Sequence, residues 1–212
     1  MEKDEISKYK TKNFKKELEK LDKIYSKKQD RIMILFAMIT AHIFILPNDI
    51  LDKFPFLVPY TEFMKEAFSM VYQISIRVTN FPQSGALWAA NMMVFTILFM
   101  IPTGYTTYIR QYEYIFMNYK QLFIRSLLMV FITMFFLFCI DSLSRGSIFD
   151  TQLRGEPNPN AINNKFGLFF KAGIFYFALM VGISSLIANV VRIAHVILKK
   201  INLKFKGLDN EK

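Results

Sequence analysis

Cysteine is almost absent from this sequence. Cys139 is the only one in 212 residues, so the chain closes no disulfide within itself, and its place in an apolar run makes the thiol a small hydrophobe. Histidine is nearly as scarce: His42 and His195 stand at no ligand spacing with that cysteine, which weighs against a metal site. Acidic residues are missing from the middle of every apolar run. A proton relay through His42 would need such partners, so His42 reads as a hydrogen-bonded packing residue. Glycine and proline are absent from Lys12 to Leu46, which predicts one unbroken helix running from a polar arm into the first apolar run. That run ends at Leu46-Pro47-Asn48-Asp49 without a small-x-small cleavage pattern and reads as a retained span.

What is present is apolar surface. At 53% hydrophobic and 16% aromatic, the chain is too apolar for an ordinary soluble domain of its size. Crossing about 30 Å of hydrocarbon takes about 20 mostly apolar residues. Residues 86–109, 122–143 and 166–197 meet this easily, and residues 32–46 form a shorter candidate. The net charge of +10 is sorted around these runs: 11 of the 27 basic residues lie in the first 31 positions and 6 more from Arg192 onward. Basic blocks so placed argue for membrane topology rather than nucleic-acid binding. With four spans, the segments before residue 32, between 110 and 121, and after 197 share the positive, cytoplasmic side. The outer loops 47–85 and 144–165 balance six basic against six acidic residues. The expectation is an all-α, polytopic, four-span protein with both ends inside. It divides into a cytoplasmic helix (1–31), a membrane domain (32–198) and a basic tail (199–212).

Several patterns mark candidate contacts. Phe14, Leu18, Leu21 and Tyr25 form an apolar stripe on the N-terminal helix, fit to lie on headgroups or to dock a partner. In the first outer loop, Thr61 is a candidate N-cap for an amphipathic helix over 61–80. Its apolar face includes Phe63, Phe68, Val71, Ile74 and Val78, and it should lie in the outer interface or pack across the bundle. Tyr105, Tyr108, Tyr112, Tyr114 and Tyr119 fall where an interfacial aromatic belt belongs. Asp141 and Lys171 sit at similar depth near the outer ends of antiparallel spans, as a candidate ion pair or as separate snorkelling groups. Ala178, Gly182, Ser185 and Asn189 make a small-residue stripe suited to close helix packing. Residues 155–160 read as an irregular turn. Gly182-Ile183-Ser184-Ser185 is similar to the nucleophile motif of intramembrane serine proteases. However, His195 lies about three turns along the same helix from Ser184 and out of its reach, so no catalysis is assigned.

The layout of basic arm, four spans, long first outer loop and short basic inner loop resembles the inner-membrane immunity proteins against pore-forming colicins, the colicin A type in particular. The resemblance runs from Arg31 to Lys200. It includes the short strings Arg125-Ser126-Leu127-Leu128, Phe138-Cys139 and Leu198-Lys199-Lys200. The extended N-terminal helix and longer first loop depart from that family. The resemblance implies a non-enzymatic, cofactor-free protein of the bacterial inner membrane that binds the inserted helices of a toxin's pore domain. The alternatives are a scaffold subunit of a secretion, conjugation or respiratory assembly and, third, a small transporter or channel subunit. Expected partners are membrane lipids, helices of other membrane proteins and a second copy of the chain, with no nucleic acid.

Overall fold

The computed structural model describes residues 2–117, 119–146 and 162–209; among them every regular element is helical and there is no strand. Helix α1 (Glu2–Thr40) is the continuous helix that the missing glycine and proline predict, and it tightens into a 3-10 turn at Ala41–Phe44 ahead of Pro47. A tertiary contact fixes its end. Trp88 Nε1 donates to the Thr40 carbonyl at 2.9 Å, taking up an acceptor that a helix C-terminus leaves open.

The first outer loop holds α2 (Ile50–Lys53), a 3-10 turn (Pro55–Leu57), α3 (Val58–Ala67) and α4 (Ser69–Arg77). Then come α5 (Pro82–Arg110), a 3-10 turn (Gln111–Phe116) and α6 (Tyr119–Arg145). The last described stretch is α7 (Lys165–Gly167), a π-helical turn (Leu168–Ala172) and α8 (Gly173–Asp209). The irregular turn expected at 155–160 lies outside the described residues, as does residue Tyr119 beyond its backbone.

Three helical stretches are long and apolar enough to cross a membrane: Pro82–Arg110, Lys120–Ser142 and Lys165–Leu198. The expected span over 32–46 is not among them, because α-helix covers it only to Thr40 and 3-10 turn follows. Residues 22–51 nonetheless run antiparallel along the whole of α5. Asp22 and Gln29 meet Arg110, Tyr25 meets Tyr105, Phe36 meets Phe99, Thr40 meets Trp88, and the Leu51 N–H donates to Gln83.

The outer-loop helix expected over 61–80 is two helices. Phe68 takes an extended backbone (φ −130, ψ 104) between them, and α3 begins at Val58 after Leu57, with Pro59 in its first turn. Thr61 is therefore inside a helix rather than capping one. Its hydroxyl donates back to the Leu57 carbonyl at 2.9 Å, the usual use of a threonine within a helix. The break lets both short helices lay buried rows, Thr61 and Met64 on one and Met70, Val71 and Ile74 on the other, into the same core as α5.

That core surrounds the N-terminal half of α5, where Ser84 to Ala90 are buried without interruption. Helix α8 runs parallel to α5 and buries every fourth residue from Ala172 through Tyr176, Met180, Ser184, Ala188 and Arg192 to Val196. Three of these bond the α5 backbone: the Tyr176 hydroxyl donates to the Ala89 carbonyl (2.9 Å), Ser184 Oγ to that of Met100 (3.0 Å) and Arg192 Nε to that of Tyr108 (3.2 Å). Each bond ties α8 to an α5 backbone carbonyl.

Candidate functional site

The elements that could meet another molecule are the surfaces this packing leaves over, and α6 leaves the most. Among its described side chains, Leu122 and Met129 are the buried apolar ones, while Phe131, Phe135 and Phe138 are each about two-thirds exposed. The helix is fastened at three places. At its first turn Leu122 clusters with Tyr114 and Val196. Near its middle, the Phe136 ring lies against Gly182 so closely that a Cβ there would overlap it. At its end Gly146 takes a left-handed backbone (φ 74) beside Gln73 and Arg77 of α4, where a Cβ would sit 2.6 Å from the Arg77 guanidinium.

The small-residue stripe on α8 thus has an identified neighbour in part. Gly182 receives Phe136, and Asn189 accepts a hydrogen bond from the Tyr114 hydroxyl (2.6 Å) while donating to the Ser185 carbonyl. Ala178, by contrast, is exposed. The more extensively packed row of α8 is the one through Ser184, on another face. Its signal in the sequence is the unbroken fourth-residue series, in which Arg192 and Tyr176 hide among apolar neighbours.

The expected partner-contact helix is largely spent on the chain's own core: Val71, Ile74 and Val78 are fully buried and Phe68 is partly so. Phe63 remains open, along with Phe54 and Phe56 of the preceding turn. On α1, Phe14 and Leu21 are exposed, Leu18 is half-buried, and Tyr25 packs edge-on against Tyr105 with ring centroids 6.1 Å apart.

The tyrosines expected as an interfacial belt also join helices at the end where α5 finishes. Tyr108 shares a hydrogen bond between its hydroxyl and His195 Nδ1 (2.8 Å) and carries the Arg192 guanidinium 3.9 Å above its ring. The Arg110 guanidinium bonds Asp22 at 3.0 Å and Gln29 at 2.6 Å, tying α1 to α5. Neither Arg110 nor its partners stood out in the sequence, since an arginine at a helix end is ordinary and its partner lies 88 residues away.

Asp141 is engaged by Arg145, one turn on in its own helix, at 3.0 Å. Lys171 lies half-buried in the π-helical turn. His42 packs between Trp88 and Phe95, and its Nδ1 donates to the Ile39 carbonyl at 2.6 Å, since a carbonyl can only accept. Thr96, Thr103 and Thr107 place buried hydroxyls on one side of α5 with no hydrogen-bond partner among the described residues. Among those residues no three His, Cys, Asp or Glu side chains converge.

No family model, curated protein or solved structure matches the chain. What the geometry offers is therefore read from the surfaces themselves. They are apolar, helical and without an assembled set of reactive groups among the described residues.

Proposed function

We propose that the chain crosses a bacterial inner membrane four times, with both ends cytoplasmic, and acts without catalysis through contacts between its helices and those of another membrane protein. The specific form favoured is immunity to a pore-forming bacteriocin. The fourth crossing is supported by residues 22–51, which match α5 in length and lie antiparallel to it from Arg110 to Gln83. The outer end of this segment is tied to the start of α7 through Lys165 Nζ, which donates to the Leu46 carbonyl at 2.7 Å.

The observation that carries the contact function is the open face of α6. A helix rich in phenylalanine and aliphatic residues, held to its own bundle at few points, offers lipid or a toxin helix a broad apolar surface. Cells producing the chain should survive a cognate pore-former. Replacing Phe131, Phe135 and Phe138 by leucine should abolish survival while leaving the purified protein as stable as before. Unchanged ion leakage in producing cells across a panel of pore-formers would refute the immunity role.

A second reading, a scaffold subunit of a larger membrane assembly, is favoured by α1, which carries exposed Phe14, Leu21 and Ile24 on a helix longer than the bundle needs. Deleting residues 2–20 spares Asp22 and Tyr25. It should leave immunity intact, but should release the chain from a detergent-stable complex if the scaffold reading holds.

A further inference from the structure

Between α6 and α8, on the side of the Phe136–Gly182 contact where α5 ends, lies a cleft of about 520 Å³ that is open along one side. Met129, Thr133 and Leu137 form one wall and Val190, Ala194 and Ile197 the other. The two hydroxyls in the walls are already used within their helix: Ser126 donates to the Leu122 carbonyl and Thr133 to that of Met129. The cleft therefore presents apolar surface and no free polar group to orient a polar ligand.

A helix about 10–12 Å across, rising 1.5 Å per residue, would fill such a volume with about one turn. A single flexible hydrocarbon chain can follow it instead. Basic charge flanks it on the α6 wall. Lys120 and Arg125 stand exposed at the start of α6, and Arg125 adjoins Ser126 in the lining. The Arg125 guanidinium lies 5.7 Å from the Tyr114 ring centroid, beside the residue that binds Asn189 of α8. Basic residues at the mouth of an interhelical pocket are the setting in which a lipid phosphate is held.

The geometry points to a site for one anionic phospholipid, with an acyl chain in the α6–α8 cleft and the phosphate at Arg125. This goes beyond the contact function and requires only that α6 and α8 span the bilayer.

The test uses the full-length protein, delipidated in detergent and offered dioleoyl phosphatidylglycerol or dioleoyl phosphatidylcholine, with retained lipid counted by native mass spectrometry. Wild type should keep one phosphatidylglycerol and lose phosphatidylcholine. Arg125→Gln should weaken phosphatidylglycerol retention about fivefold, the effect of roughly one basic residue on an anionic lipid. Ala194→Phe should fill the cleft and remove retention, while Ile187→Phe, in the separate shallow groove between α5 and α8, should not. Should Ala194→Phe fail to fold, Thr133→Phe fills the same space from the other wall. Equal retention of both lipids, or retention unchanged when the cleft is filled, would overturn the site. So would a wild-type dimer that the filling variant splits into monomers, because the occupant would then be a second copy.

Discussion

Helices α5 and α6 are of nearly equal length and both are apolar enough to cross a membrane, yet they are used in opposite ways. The helix with the more hydrophobic 18-residue stretch is the less buried: that stretch has a mean hydropathy of 2.4 in α6 against 1.7 in α5. Hydropathy reports which solvent a helix tolerates, whereas burial inside a bundle depends on how closely neighbours can approach. Helix α5 offers Ser84, Gly85, Ala86, Ala89, Ala90, Thr96 and Thr103, and other backbones come close enough for side chains to bond its carbonyls. Helix α6 carries five phenylalanines between 123 and 138 and comes close to α8 near its middle only where Gly182 makes room for one of them.

The comparison breaks most sharply at single aromatic residues. Trp88→Ala should lower unfolding stability in detergent by about 3–5 kcal/mol, because it opens a cavity in the core and strips the Thr40 carbonyl of its donor. Phe131→Ala, on the exposed side of α6, should stay within about 0.5 kcal/mol of wild type in the same titration. If the two variants lose similar stability, the contrast between the helices is wrong.

Next in size is the contact near the middle of α6, where it closes on α8. Gly182→Ile should cost about 1–3 kcal/mol by overpacking against Phe136, and adding Phe136→Ala should recover part of the loss. Additive losses in the double variant would show that the ring and the glycine do not share a site.

A smaller effect is expected where α1 joins α5. Arg110→Met removes partly exposed bonds to Asp22 and Gln29 and should cost about 1 kcal/mol, seen as faster amide exchange over the residues of α1 around 22–29. Unchanged exchange there would mean that lipid, not Arg110, holds α1 in place.

The smallest effect lies at the exposed pair of Asp49 and Lys53, where the lysine ammonium draws the carboxyl below its ordinary value. A depressed carboxylate stabilises the fold above its unfolded pKa and loses that contribution as pH falls through the folded one. Because the pair is fully solvated, a pH titration of wild type against Asp49→Asn should show nearly coincident curves, wild type being marginally favoured only toward neutral pH.

Much of the architecture was legible in the linear pattern. The three long apolar runs became three long helices, and the stretch without glycine or proline became α1. What misled was local chemistry read without its neighbours. Thr61 has the composition of a cap, but Pro59 and the turn before it start the helix earlier. The apolar face of Val71, Ile74 and Val78, by contrast, takes one of its two expected places and packs across the bundle onto α5. The candidate site was legible as a list of apolar surfaces. Which of them stay open was not, because openness is a property of pairs of helices.

Sequence by itself determined that this is an all-helical chain with three helices apolar enough to cross a bilayer. Run length and the absence of helix breakers fix both, residue by residue. Only the tertiary structure decided that α1 follows α5 along its length, that Trp88 ends α1, and that the fourth-residue row through Ser184 packs more extensively than the small-residue stripe through Gly182. It also decided that α6 stands open beside an apolar cleft. These outcomes depend on which surfaces approach within a few ångströms, and the segments that meet there lie tens of residues apart in the chain.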